Sequence, residues 1–331
     1  MSFRKIAAIF LLMVALPMAV IADETVPSPW AHDTNEDGLI LEYYSDGKGF
    51  LTMYDKDDVA IVIPAEIEGV KVNGLSDYAL DFITGKVDFE VERGSEAYKK
   101  QGAMLLSYDG TQLVAVDRSA TGAIVVPNTV TAIGHNALRN CKGVTAVTLP
   151  NGLTWIGNWA FEGCEGLTSI KLPETLERLG FGAFASCGEL KSISVPQLVT
   201  EIGESTFADC ASLTDVRLPE GVLELSTRAF ANCTALTALA LPAGLVRIGD
   251  EAFYGCSGLT EMEMPQTLSH IGEYAFYHCT QLYEVRMPGD VSNIAENAFI
   301  DCDQALTLMV PINSKASKWA ATNGVNWRTI S

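Results

Sequence analysis

The sequence predicts an α/β repeat solenoid, with parallel strands on one face of each coil and short helical or irregular turns on the other. Two observations carry this prediction. Proline recurs every 23 residues from Pro127 to Pro311, and cysteine recurs every 23 residues from Cys141 to Cys302. A repeat unit of this length cannot bury an apolar side alone, so successive units stack and like residues lie on like residues.

The chain opens with a segment organised like a secretory signal peptide. Arg4 and Lys5 form a basic region, residues 6–16 an apolar core, and a small-residue cleavage site precedes Asp23. The apolar run is shorter than the roughly 20 residues that a transmembrane helix needs. We therefore predict that residues 1–22 are removed, without membrane insertion, and that the mature protein is secreted, at the cell surface or periplasmic.

The chain is strongly acidic, with 22 Lys and Arg side chains against 41 Asp and Glu side chains and a formal net charge of −19. Removal of the two basic residues of the signal peptide would make the net charge −21. Such a surface repels phosphate backbones and anionic lipids. We therefore expect no nucleic-acid partner.

The segment between the signal peptide and the strict repeats is predicted to have two parts. Residues 23–37 form an acidic leader, and residues 38–126 form N-terminal cap hairpins and irregular repeats. The pairs Asp46-Gly47 and Asp109-Gly110 mark two hairpin tips, because this dipeptide accepts the positive φ angles of a tight turn. The first hairpin is expected to cover the exposed edge of the first coil.

Residues 127–311 are predicted to be regular 23-residue repeats. In one copy, Ser169 to Leu172 alternate between polar and apolar residues like a short strand, and Pro173 ends it. An irregular arm follows, and the segment Gly182 to Cys187 suits a single helical turn. The residues that precede the cysteines are mostly types that favour turns. Residues 312–331 are predicted to be a C-terminal cap with a short helix that carries Trp319.

The cysteines are interpreted as one buried structural ladder of free thiols. Its members are Cys141, Cys164, Cys187, Cys210, Cys233, Cys256, Cys279 and Cys302. Disulfides between neighbouring coils are the alternative, since exported chains commonly form them. In-register Cβ atoms about 4.8 Å apart fit disulfide geometry poorly.

No catalytic residue, cofactor or metal ligand is assigned. None of the four histidines has a sequence neighbour that suggests a nucleophile–base pair. Residues 33–44 begin like a calcium-binding loop, but Tyr44 stands where such a loop needs a bidentate Glu. The cysteines lack the close pairing of zinc ligands. We therefore predict a non-enzymatic protein.

The repeat L-x-x-I-x-L-P-x-x-L-x-x-I-G-x-x-A-F-x-x-C resembles that of the BspA-like leucine-rich repeat proteins, which are exported or surface proteins. The resemblance covers roughly Val59 to Trp327 and includes the closing INSKASKWAATNGV. It implies a leucine-rich repeat solenoid without a catalytic motif. It also implies a role in adhesion, by binding host matrix proteins, other cells or glycans.

The outward side of the strands is the predicted binding surface, since a solenoid presents an extended face there. A mixed-charge patch on this face is the candidate contact surface: Asp215, Arg217, Glu261, Glu263, Glu284 and Arg286. An ordinary solvated sheet face is the alternative. A secondary candidate is a glycan-stacking surface of aromatic residues: Trp159, Tyr254, Tyr274, Tyr277 and Tyr283.

The sequence thus predicts an exported, monomeric leucine-rich repeat protein that binds a protein ligand, such as a host matrix or cell-surface protein, through its sheet face. The alternatives are a glycan-binding protein and a structural protein of the cell envelope.

Overall fold

A computed structural model describes residues 31–34, 39–43, 49–54, 61–67, 69–75, 79 and 87–330. These residues form a β-solenoid of about 11 coils with parallel strands and one short helix near the C-terminus. The predicted repeat solenoid is confirmed. The predicted signal peptide, residues 1–22, lies outside the described residues, as do the side chains of the calcium-like segment.

The described residues of the N-terminal part form ten strands: β1 (Ala31–Thr34), β2 (Leu39–Tyr43), β3 (Gly49–Tyr54), β4 (Ile61–Ile63), β5 (Glu66–Ile67), β6 (Val70–Leu75), β7 (Phe89–Val91), β8 (Tyr98–Gln101), β9 (Met104–Ser107) and β10 (Gln112–Val116). Strand β1 lies within the predicted acidic leader and pairs antiparallel with β2.

Both predicted N-terminal hairpins are present. Strands β2 and β3 pair antiparallel, and β3 then pairs parallel with β6, so this hairpin covers the edge of an early coil. Strands β9 and β10 form the second hairpin. At its tip the Asp109 carboxylate accepts hydrogen bonds from the Ser107 hydroxyl at 2.6 Å and the Thr111 N–H at 2.9 Å, while Gly110 has a φ of 78°.

From residue 122 onward the strands belong to two parallel ladders: β11 (Gly122–Val125), β12 (Ala132–Ile133), β13 (Val144–Thr148), β14 (Trp155–Ile156), β15 (Ser169–Ile170), β16 (Arg178–Leu179), β17 (Ser192–Ser194), β18 (Asp215–Arg217), β19 (Glu224–Leu225), β20 (Arg247–Ile248), β21 (Glu261–Glu263), β22 (His270–Ile271), β23 (Glu284–Arg286), β24 (Asn293–Ile294) and β25 (Thr307–Pro311). Helix α1 (Lys315–Thr322) and strand β26 (Asn326–Ile330) follow.

The first ladder forms the predicted sheet face. It runs through β11, β13, β15, β17 and β18 and resumes with β21, β23, β25 and β26. Paired residues in its regular part are 23 positions apart, as in Ser192 with Asp215 and Glu261 with Glu284. We therefore use the word slot for a set of positions spaced 23 residues apart.

The second ladder occupies the arm that was expected to be irregular. It joins β10, β12, β14 and β16, and then β19, β20, β22 and β24, with a single bridge between Ile202 and Leu225. The backbone of neighbouring coils approaches closely beside it. A Cβ atom on Gly180 would lie 2.4 Å from the backbone nitrogen of Asn158, which explains the recurrent glycine.

The third side of the coil consists of turns rather than the predicted helical turn. In seven coils two residues have left-handed backbone angles there, such as Gly182 and Ser186, each with a φ of 57°. Positive φ angles interrupt a right-handed helix. Backbone bonds still join the coils, since the Phe161 N–H donates to the Ala183 carbonyl at 2.8 Å.

The core is a stack of equivalent side chains. From Phe161 to Phe299, successive phenylalanine rings lie parallel, with centroids 5.0–5.9 Å apart. The leucine, isoleucine and cysteine slots surround this stack and belong to the same apolar cluster. Because each ring contacts its equivalents in the coils before and after it, the buried sequence repeats with the coil.

The C-terminal cap contains the predicted helix and a strand that was not predicted. The Ser314 hydroxyl caps α1 by accepting a hydrogen bond from the Ser317 N–H at 3.0 Å. Trp319 packs edge-on against Phe299, with ring centroids 5.8 Å apart. After the helix, β26 pairs parallel with β25 and extends the first ladder by one strand.

Candidate functional site: sheet face, thiol ladder and groove

The structure divides the predicted mixed-charge patch into two groups. Glu261, Glu263, Glu284 and Arg286 lie together, because β21 and β23 pair directly. Asp215 and Arg217 lie on β18, in the other segment of the first ladder. Between the two groups is the coil at residues 238–240, which carries two small alanines and forms no strand.

The two groups differ in charge. Arg217 lies 3.9 Å from its strand neighbour Asp215, so this group is neutral overall. Arg286 pairs with Glu284 at 3.0 Å, whereas Glu261 and Glu263 are exposed and have no ion-pair partner in the described part of the chain. The β21–β23 group, which we call the acidic strip, therefore has a net charge of −2.

The eight cysteines form the predicted ladder, and all are free thiols in the structure. The slots from Cys141 to Cys279 are fully buried, and Cys302 is partly exposed. From Cys164 onward each thiol donates to the carbonyl oxygen 26 residues earlier, with Sγ···O distances of 3.0–3.2 Å. Each thiol thus ties its coil to the preceding one.

Burial makes these thiols poor nucleophiles. Loss of solvation raises the pKa of Cys210 and Cys256 to about 12 and raises the pKa of the other ladder thiols as well. The thiolate is the reactive form of cysteine. The ladder therefore has a structural role.

The N-terminal end of the thiol ladder is occupied by an arginine that the sequence analysis missed. Arg118 stands one period before Cys141 and is only 5% exposed. Its guanidinium donates to the Asn136 carbonyl at 3.2 Å and lies 3.7 Å from the Cys141 Sγ atom. The 23-residue spacing alone would have placed Arg118 in the cysteine slot.

Two open pockets of similar size lie along the second ladder, each beside a member of the glycine slot. The aromatic pocket, about 590 Å³, is lined by Trp155, Asn158, Arg178, Phe181 and Leu198 together with Glu177 and Glu201. The polar pocket, about 570 Å³, is lined by charged and amide side chains of later coils, including Arg247, Asp250, His270 and Glu273. Sequence analysis missed both pockets, since the arm was not expected to be a ladder.

A family model, the BspA type leucine-rich repeat region, matches residues 117–237 and 224–324 in six copies. The chain belongs to the BspA-type leucine-rich repeat family. The predicted family is thereby confirmed, and the matched residues contain all six members of the mixed-charge patch and the aromatic pocket.

Solved structures that are similar to this chain include bacterial leucine-rich repeat proteins. One from Bacteroides ovatus has a TM-score of 0.51 and 21% identity, covering 87% of this chain and 71% of its own. A T. pallidum leucine-rich repeat protein has a TM-score of 0.41 and 25% identity, covering 71% and 91%. A leucine-rich cell surface protein from Faecalibacterium prausnitzii has a TM-score of 0.35 and 21% identity, covering 88% and 97%. No match was found among the curated proteins.

The predicted aromatic surface is only partly assembled in this BspA-type solenoid. Tyr254 and Tyr277 stack with centroids 4.9 Å apart, and Tyr274 meets Tyr277 edge-on at 5.7 Å. A hydrogen bond to Asp301 raises the pKa of Tyr277. Tyr283 lies apart from them, exposed beside β23. The ring of Trp159 covers Gly182, whose Cβ would lie 1.9 Å from it.

The side chains of His135 and His270 take part in contacts between coils. The His135 Nδ1 atom accepts the Asn158 N–H at 2.8 Å, and the His270 Nδ1 atom lies 2.9 Å from the Asn293 amide nitrogen. Burial lowers the pKa of His270. In the described ranges, no group of three or more His, Cys, Asp or Glu side chains is arranged to hold a metal ion. Nor does any helix there have the length and apolar character needed to cross a bilayer.

Proposed function

We propose that this BspA-type protein is an exported, monomeric, non-enzymatic binding protein that engages a protein ligand through its sheet face, in adhesion or another protein–protein interaction. The acidic strip carries the proposal. In the strip, Glu261 and Glu263 lie on β21 and have no ion-pair partner among the described residues. The neighbouring strand β23 carries the Glu284–Arg286 ion pair.

The charge of the strip indicates the chemistry of the ligand. Two carboxylates without partners favour a ligand with a basic surface, and the net charge of −19 adds a long-range attraction for such a ligand. The neighbouring Asp215–Arg217 pair is already neutral. We therefore place the main contact on Glu261 and Glu263 and assign Asp215 and Arg217 to its edge.

The non-enzymatic part of the proposal rests on the chemistry of the site. The thiols are buried and have raised pKa values, so they are unsuited to nucleophilic attack. The Glu261 and Glu263 side chains of the acidic strip are exposed to water. Export is proposed from the signal-like sequence of residues 1–22, and cell fractionation would test it.

A charge-reversal variant tests the binding surface. Glu261→Lys/Glu263→Lys should weaken binding to basic extracellular matrix proteins in a surface plasmon resonance panel, mainly by lowering the association rate at low salt. Glu174→Lys/Glu189→Lys is the matched control, since it changes the net charge equally at exposed positions away from the strip. The proposal fails if the two variants bind alike. If no panel protein binds the wild-type chain, a structural role in the cell envelope is favoured instead.

A further inference from the structure

The aromatic pocket is built from residues that depart from the pattern of their slots. The slot of Phe181 holds polar residues in the seven other regular coils: His, Asn, Glu, Thr, Asp, Glu and Glu. The slot of Leu198 otherwise holds Thr, Gly or Asp, and the slot of Trp155 otherwise holds Ala, Arg, Glu, His or Asn. The other regular coils fold without large apolar residues at these three positions, so the fold does not require them.

The three departures come together in space. Trp155, Phe181 and Leu198 lie on three neighbouring coils and line the same pocket. Phe181 is 43% exposed and Leu198 is 53% exposed, so neither side chain serves the core. Large apolar residues exposed together at one concave site indicate a ligand.

The aromatic rings are held in place by contacts outside the pocket. The Phe181 ring lies over Gly203, where an added Cβ would stand 2.4 Å from the ring atom Cδ1. Trp155 is held edge-on by the His135 ring, with centroids 5.1 Å apart. The exposed ring surface is therefore positioned before a ligand arrives, which lowers the entropy cost of binding.

Polar groups without partners surround the rings. The Phe181 N–H donates to the Asn158 Oδ1 atom at 3.0 Å. This bond fixes the amide orientation, and the Asn158 Nδ2 group has no hydrogen-bond partner within the described part of the molecule. Arg139, Arg217, Arg228, Arg247 and Arg286 all form ion pairs. Arg178 forms none with any described residue.

We infer that the aromatic pocket binds a short neutral oligosaccharide. A pyranose ring presents a face of C–H groups, which the electron-rich faces of Trp155 and Phe181 attract. The hydroxyl groups at its rim both donate and accept, which matches a set of amide, guanidinium and carboxylate groups. The pocket volume of about 590 Å³ lies in the range of small-molecule sites.

Two other ligand classes fit the pocket less well. A peptide that adds as a β-strand needs a free sheet edge long enough for several main-chain hydrogen bonds. Strand β14 is paired on both sides, and β16, the last strand of this sheet, offers an edge of only two residues. An acidic ligand would meet Arg178 but also the carboxylates of Glu177 and Glu201. The pocket lies on the second ladder, so this site is independent of the proposed protein contact on the first.

The site can be tested with substitutions that introduce residues already present at the equivalent positions of neighbouring coils. Such residues are compatible with the fold. Phe181→Asn and Trp155→Ala introduce the residues that occupy the same slots one coil earlier. We expect wild-type protein to bind at least one member of a panel of cello-, malto- and chito-tetraoses by isothermal titration calorimetry. Each variant should lose about tenfold or more in affinity for that sugar. The control variant Tyr108→Ala, which removes an exposed aromatic ring beside the tip of the β9–β10 hairpin, should retain wild-type affinity.

A second variant acts through the ring support alone. Gly203→Ala changes no residue that lines the pocket, but its methyl group must displace the Phe181 ring. It should therefore weaken binding of the same sugar without changing the unfolding midpoint by more than the Tyr108→Ala control does. The inference is overturned if no tetraose binds wild-type protein at millimolar concentration, if Phe181→Asn binds as well as wild type, or if only acidic oligosaccharides or peptides bind this pocket.

Discussion

The buried and exposed slots of this solenoid differ in how much they vary between coils. The cysteine slot holds cysteine in eight consecutive copies, whereas the slot of Phe181 holds six different residue types in eight coils. A buried side chain contacts its equivalents in two neighbouring coils, so a change there disturbs three layers. An exposed side chain meets water and is free to change. Uniform slots therefore indicate the fold, and exposed slots with an unexpected residue indicate function.

The largest effect is expected when the uniform thiol slot is ionised. Unfolded thiols ionise near the ordinary pKa of 9.0, whereas burial raises the pKa of Cys210 and Cys256 to about 12. The resulting stability is fully present below pH 9 and is lost as the pH rises through 12. Between pH 9 and about 12, ionisation of each such thiol should lower the free energy of unfolding by about 1.4 kcal/mol per pH unit. Urea unfolding measured from pH 8 to pH 11 should show a steep decrease in the free energy of unfolding.

The alkaline effect has an internal control. Cys210→Ala should show a shallower loss of stability with pH, because one titrating thiol is gone while the lysines and tyrosines are unchanged. Equal slopes in the two proteins would mean that the thiol slot does not carry the effect.

The next largest effect is expected in the phenylalanine stack. Phe230 is fully buried between Phe207 at 5.3 Å and Phe253 at 5.7 Å, so Phe230→Ala should lower the free energy of unfolding by about 3–5 kcal/mol. Phe299→Ala should cost less, because Phe299 is 7% exposed and its outer neighbour is the cap residue Trp319. Chemical denaturation of both variants checks this order. An equal or reversed order would contradict a stack whose middle is its most tightly packed part.

The smallest effect is expected in a turn slot. Ser186 has a φ of 57°, and the same slot already holds glycine at Gly163 and Gly255. Ser186→Gly should raise the free energy of unfolding by about 0.5 kcal/mol, since relief of the left-handed backbone exceeds the added entropy of the unfolded chain. Ser186→Val should lower it, because a β-branched residue is strained at positive φ. A more stable valine variant would show that backbone strain does not govern this slot.

The sequence predicted the buried half of the molecule well. Regular spacing of Pro, Phe and Cys was sufficient, because the residues that face one another in the core are the ones that repeat. The hairpin tip at Asp109-Gly110 was also predictable, since its turn chemistry is local.

The exposed half was less accessible to sequence analysis. The second ladder was expected to be an irregular arm, because its strands are only two residues long and leave no clear alternation. Because that ladder was not predicted, the sequence did not indicate that Trp155 and Phe181 lie on the same surface. The left-handed backbone at Trp159 and Arg228 was also missed, since these residue types rarely adopt it and the surrounding coils impose it.

Site-resolved thiol alkylation, followed by mass spectrometry, most directly tests the claim that equivalent side chains stack into buried slots. In native protein the account predicts that Cys302 reacts first and that the seven thiols from Cys141 to Cys279 stay protected. All eight should react once the protein is denatured without reductant. Disulfide-linked pairs, or native reactivity scattered along the ladder without regard to position, would contradict it.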